Sequence, residues 1–262
     1  KSVLLSSECF FKMHTKEGFE VFWDKAVELF GDIKIIVYVR RQDKWVESRH
    51  RHSIVSGNEF PVEMLSRPFF SNYKQFIDKW RDLVGEGNVI LKPFERQQFV
   101  KGDVCQDFAH ILGATDLKPS EDTQVNVGFS SQRILFRKLV QKLNSDEADM
   151  HRLNRMLLKL PNKEGEDQPF VSPSQQVKLY NQYRPINQQL VREYIDPERS
   201  ELFLDSAPNG DAPWVNPELD EANITYFVNA IQEASGEIFD ILRRATKAAD
   251  VDSIVEKLNS TL

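Results

Sequence analysis

The stretch that decides the fold is Ile33-Lys-Ile-Ile-Val-Tyr-Val-Arg-Arg-Gln-Asp-Lys-Trp-Val-Glu-Ser48. Its first half is a near-continuous apolar run of strand length, the pattern of a strand covered on both faces in a parallel sheet. Its second half predicts a helix to about Ser56, with Asp43 as N-cap and Gly57-Asn58 as the stop. A strand running into a helix sets Arg40 at the strand's carboxyl end, the edge where open α/β sheets bind ligands. The helix start adds unpaired backbone N–H groups and a positive dipole end. A guanidinium is a planar fork suited to phosphate oxygens, and Ser48 lies about one turn into the helix. Arg40, Arg41 and Ser48 therefore read as a phosphate grip. On these residues alone, a surface salt bridge beside an ordinary helix serine reads equally well.

Working outward, Val3–Leu5 predicts a short buried strand ending at Ser6-Ser7-Glu8, and Phe19–Phe30 has helical apolar spacing. Phe69 to Val84 carries an aromatic stripe at helical spacing, read as core, and Gly85-Glu86-Gly87 breaks it. Asn88–Lys92 predicts a third strand, Pro93-Phe94-Glu95-Arg96 follows, and Asp103–Leu112 predicts a helix. Strands alternating with helices indicate an α/β fold, a parallel sheet flanked by helices. Beyond Leu117 the texture becomes mostly helical. Helices are predicted at Ser130–Asn144, at Ser174–Tyr194 with an interruption near Pro185, at Ile224–Ala245 and at Val251–Leu258. Charged residues 145–173 and the Pro-rich residues 205–217 read as loops. The expected organisation is an α/β domain over 1–204 with a helical C-terminal extension, 205–262.

The chain has 262 residues, a net charge of −6, 40% hydrophobic residues and 28% charged ones. That balance argues against a nucleic-acid binder driven by bulk charge. No apolar run reaches the length of about 18 residues that a membrane span needs. Cys9 and Cys105 form neither a disulfide framework nor a metal pattern, which favours a reducing, cytoplasmic setting. His14, His50 and His52 lack a spacing that closes a metal site and read as solvated or substrate-rim residues. Glu8, after the first strand, belongs at the same sheet edge as Arg40. It reads either as a general base toward an acceptor hydroxyl or as a cap or arginine partner. Asn126 and Asn187 are candidates for buried hydrogen-bonding residues. The chain opens on an apolar stretch with no initiator Met, so a preceding segment is expected.

Taken together these blocks resemble the bacterial sulfotransferases that use 3′-phosphoadenosine-5′-phosphosulfate (PAPS). Val3-Leu-Leu-Ser-Ser-Glu8 is similar to the strand and turn carrying acceptor-side residues, and Ile33 to Ser48 to the 3′-phosphate motif. Val89-Ile-Leu-Lys-Pro-Phe-Glu-Arg96 with Gly102 to Gly113 resembles the third strand and its helix. Asn126 through Asn144, and Leu179-Tyr to Phe203 with Asn187, resemble the C-terminal helical blocks. The likeness covers about residues 1–204. It implies a P-loop-type α/β fold, with Arg40 and Ser48 on the 3′-phosphate and Arg41 beside them. It places Glu8 as the base and Phe94 against the adenine. PAPS would be donor and adenosine 3′,5′-bisphosphate (PAP) product, with no metal and a small-molecule or glycan acceptor. The chain departs from the family in lacking the glycine- and lysine-containing loop that cradles the 5′-phosphosulfate, expected to precede Lys1. Two other readings stand beside it. The arginine pair after Val39 also resembles the GDP-fucose grip of some fucosyltransferases, with Tyr38 where those have histidine. A sulfotransferase-like module without catalysis is the other.

Overall fold

The computed structural model describes residues 3–7, 17, 19–114, 128–144, 146–161, 163 and 165–262, and only the backbone of 69 and 70. The described elements are α1 (Phe19–Phe30), β1 (Ile35–Val39), α2 (Gln42–Val55), α3 (Val62–Leu65), α4 (Pro68–Ser71), α5 (Tyr73–Val84) and β2 (Val89–Pro93). Two 3₁₀ turns, Arg96–Gln98 and Val100–Gly102, lead to α6 (Val104–Ile111). Then come α7 (Ser131–Leu143), α8 (Glu147–Lys159), α9 (Pro173–Tyr194), α10 (Glu221–Ala234), α11 (Gly236–Thr246) and α12 (Val251–Asn259). Among the described residues the sheet has two strands, paired in parallel with Ile35 opposite Val89 and Val39 opposite Pro93. The chain is thus α/β with a parallel sheet, and mostly helical.

Several expectations are corrected. Val3, Leu4 and Leu5 form no strand and are 55–59% exposed; three apolar residues are too few to specify one. Residues 145–173 are not all loop. Asp146 caps α8, and Met150, Leu153 and Leu157 bury one face of it at spacings of three and four. The predicted helix 224–245 is two helices. Ser235 is extended and its hydroxyl accepts from the Ile238 N–H, ending α10 and starting α11. Asp43 does not cap α2. It lies within the first turn, and its carboxylate is taken by Arg41. The stripe at 69–84 is split at Asn72, and α9 runs unbroken through Pro185.

The chain divides into two compact units that interleave in sequence rather than separating at residue 204. The first holds Lys1–Trp45, Ser66–Glu121 and Ser174–Gly210; the second holds Val46–Leu65, Asp122–Pro173 and Asp211–Leu262. In the first, Val37 and Val39 of β1 and Val89 and Leu91 of β2 join Tyr73, Ile77 and Trp80 of α5 and Leu190 and Val191 of α9 in one core. The aromatic stripe of α5 is core, as its spacing predicts. Phe19 of α1 closes edge-on against Trp80 at 5.6 Å between ring centres. In the second unit, α7, α8, α10, α11 and α12 pack around Phe136, Leu153, Phe227, Ile241 and Ile254. There Arg133 and Glu166 form an ion pair whose side chains are 4% and 2% exposed.

Asn187, one of the two asparagines singled out from sequence, is buried in α9. Its amide pairs reciprocally with that of Gln42 at the start of α2, each N–H donating over 2.9 Å to the other's oxygen. Asn126 lies outside the described residues. Truncating either partner strands a buried amide, at about 1–3 kcal/mol. Replacing both by leucine removes the polar groups together, so in urea unfolding the double variant should be less destabilised than the sum of the single changes. Additive losses would show that the pair contributes no mutual bonding.

Candidate functional site at the carboxyl edge of the sheet

The parallel register brings the ends of β1 and β2 level, and the Phe94 N–H donates over 2.6 Å to the Val39 carbonyl. Arg40 and Phe94 therefore leave the two strands side by side. The Arg40 guanidinium lies 6.0 Å from the centre of the Phe94 ring, and Phe94 is 42% exposed. Phe99 and Tyr38 complete an aromatic group, with Phe94–Phe99 at 5.3 Å and Tyr38–Phe99 at 6.1 Å between centres, all edge-on. The Arg40 backbone is fixed, since its carbonyl accepts from the Tyr73 hydroxyl at 2.7 Å. Burial pushes the Tyr73 phenol up, so it stays a donor. Among the described residues, the Arg40 guanidinium makes no hydrogen bond or ion pair.

Arg41 is the opposite case. It is 4% exposed. Its Nε and Nη2 grip the two Asp43 oxygens at 2.8 and 3.0 Å, and Nη1 donates to the carbonyls of Asp205 and Ser206 at 3.0 and 2.8 Å. Burial alone would lower its pKa, but Asp43 outweighs burial and raises it. The neighbouring Glu95 is also buried and takes the N–H groups of Leu204 and Asp205 at 2.7 and 3.1 Å. Segment 204–206 is thereby stitched to both strand ends. The Asp205 carboxylate pairs with Lys44 and accepts from Gln97. The Lys44 contact first, against a smaller opposing effect of burial, holds Asp205 below the usual carboxylate range.

Of the sequence-predicted site residues, Arg40 and Phe94 come together, the Arg40 guanidinium without a polar partner among the described residues, while Arg41 is engaged within the protein. Ser48 is exposed on the part of α2 that belongs to the second unit. Glu8 lies outside the described residues. His50 is bound through Nδ1 to the Phe60 carbonyl at 2.8 Å rather than solvated. Sequence reasoning missed a buried polar group beneath the aromatic cluster. The Asp107 carboxylate accepts from the Tyr38 hydroxyl at 2.7 Å and the Val100 N–H at 3.2 Å, and pairs with Lys92 at 3.1 Å. Lys92 was the visible signal, a cation inside an apolar strand that needs a counter-charge; its partner on α6 carried no local mark. Burial first, and the bond to Asp107 second, push the Tyr38 phenol up, so it remains protonated.

Chemically, this edge offers a guanidinium fork whose donors have no partner among the described residues, and an exposed aromatic face beside it. The first suits phosphate oxygens and the second a nucleobase. Among the described residues there is no cluster of histidine, cysteine and carboxylate side chains able to hold a metal ion, and no helix long and apolar enough to cross a membrane.

No protein-family model and no solved structure matches the chain. A curated protein of Archaeoglobus fulgidus, described as an uncharacterized protein, is 27% identical over 199 residues, 74% of this chain. The chain spans about half, 54%, of that relative's length.

Burial alone would raise Asp107, but its bonds from Tyr38, Lys92 and Val100 outweigh this and hold the carboxyl below its ordinary value. A depressed folded pKa contributes stability that is fully present above an unfolded value of about 3.9 and is lost as pH falls through the folded one. Asp107→Asn should therefore cost about 1–2 kcal/mol at pH 7 and flatten the loss of unfolding free energy below about pH 4. An unchanged acid limb in urea titrations would show that Asp107 does not carry this linkage.

Proposed function

We propose that the carboxyl edge carrying Arg40 and Phe94 binds a nucleotide with a ribose phosphate, and that the chain is a PAPS-dependent sulfotransferase on a P-loop-type sheet. The observation that carries the nucleotide reading is the Arg40 guanidinium. It is anchored through its backbone, its donors have no partner among the described residues, and it stands beside an exposed aromatic ring. Its place at the carboxyl ends of parallel strands is where this architecture binds ligands. The ordered resemblance of four sequence blocks supports the choice of PAPS and the transfer reaction.

In this reading Arg40 holds the 3′-phosphate and Phe94 lies against the adenine. Arg41 binds no ligand, but fixes the strand end that presents Arg40. PAPS supplies an activated sulfuryl group, which passes to a hydroxyl or amine of a carbohydrate or glycolipid acceptor. Glu8 takes the proton that the acceptor loses. Positioning and cationic stabilisation do the remaining work, in a reducing, cytoplasmic setting.

Calorimetric titration with PAP tests the nucleotide reading. Arg40→Ala should weaken binding by about tenfold or more, the worth of a charge-assisted phosphate contact. Phe94→Ala should weaken it by about five- to tenfold through lost stacking. Glu8→Gln should leave PAP affinity within about twofold while depressing sulfuryl transfer. Binding of GDP in place of PAP would turn the assignment toward a GDP-sugar glycosyltransferase. PAP binding without transfer by the full-length protein would favour a binding module.

A further inference from the structure

Tyr38 stands opposite Lys92 in the register of β1 and β2. Tyr38 alternates with the core residues Val37 and Val39, and Lys92 follows the core residue Leu91, so both side chains leave the sheet on the face away from that core. There one carboxylate meets both. Asp107 of α6, 1% exposed, accepts from the Tyr38 hydroxyl at 2.7 Å and pairs with Lys92 at 3.1 Å. It also accepts from the Val100 N–H at 3.2 Å. A buried carboxylate bonded on several sides holds its partners in one arrangement, because losing any of them leaves part of the charge unsatisfied.

Two of those partners bear on Phe94. The Tyr38 ring lies edge-on to Phe94, with 84° between planes and 6.5 Å between centres, and edge-on to Phe99 at 68° and 6.1 Å. Val100 follows Phe99 directly, so its bond to Asp107 fixes the turn that carries the Phe99 ring. Phe99 in turn meets Phe94 at 73° and 5.3 Å. Beyond Val100 the chain turns into α6 through Lys101 and Gly102, both in the left-handed region at φ +54° and +70°. A lysine is uncommon there. Phe94 itself is 42% exposed. Among the described residues, the aromatic rings against it are those of Tyr38 and Phe99. A half-exposed ring that must present one face to a ligand needs such support from behind.

Resting on the nucleotide reading above, we propose that Tyr38 and Asp107 are positioning residues for the nucleobase. Asp107 holds the Tyr38 hydroxyl and the Phe99 turn, and the two rings hold Phe94 in the plane against which the base stacks. Both residues act through Phe94. Their effect is confined to the base and does not extend to the phosphates.

The test compares calorimetric titrations of the full chain with PAP and with ribose 3,5-bisphosphate, which keeps both phosphates and lacks the base. Tyr38→Phe keeps the ring and removes its bond to Asp107. It should weaken PAP about threefold, the order of one edge-on aromatic contact, and leave the abasic ligand unchanged. In the Phe94→Ala background the same substitution should weaken PAP no further, since both changes act on one ring. Phe99→Leu leaves the Asp107 partners in place and removes a supporting ring, so it should show the same selectivity, and it stands in if Tyr38→Phe does not fold. Equal weakening of both ligands, or of neither, would overturn the proposal while the nucleotide reading stands, as would an additive loss in the double variant. An unsubstituted chain that does not prefer PAP to the abasic ligand would overturn the nucleotide reading, and this proposal with it.

Discussion

The buried Arg41 guanidinium is the interaction on which the carboxyl edge of the first unit depends. Four of its bonds join the second residue beyond β1 to Asp43 in α2 and to the carbonyls of Asp205 and Ser206. Glu95, just beyond β2, takes the N–H groups of Leu204 and Asp205. The two strand ends and the returning chain thus share one charged knot. A buried pair of this kind adds little net stability over a well-packed apolar equivalent. Breaking it by removing one partner costs about 3–5 kcal/mol, because a charge is left alone. Its consequence is geometric. It fixes the strand end that carries Arg40, whose guanidinium makes no hydrogen bond or ion pair among the described residues.

The same contrast recurs in the second unit. Arg133 is satisfied by Glu166 and by the carbonyls of Leu157 and Pro161, whereas Arg137 has two neutral amides. In each unit a buried arginine is held by its own carboxylate, and another arginine has none among the described residues. Residue type alone does not separate the two cases. The partner does.

That distinction explains what could be read from the sequence. Ile33–Val39 and the stripe of α5 were legible because their signals are local: apolar period and turn residues. The edge position of Arg40 followed from the strand that precedes it. Arg41 could not be told from Arg40, since Asp43 follows both closely and the carbonyls that complete the bonding of Arg41, at 205 and 206, lie far along the chain in a segment that looks like loop. Asp107 was hidden for the same reason, as its partners Tyr38 and Lys92 sit on different strands. Helix α8 was hidden by its charged surface, although Met150, Leu153 and Leu157 carried the helical period. Val3–Leu5 failed in the other direction, an apolar triplet without the length to make a strand.

We propose that Arg40 and the exposed Phe94 at the strand ends form a nucleotide site. A crystal structure of the full chain grown with adenosine 3′,5′-bisphosphate tests it most directly. A phosphate is expected within hydrogen-bond distance of the Arg40 guanidinium and the base against the Phe94 ring, with Arg41 still bound to Asp43. Nucleotide bound elsewhere, with Arg40 and Phe94 untouched, would contradict it.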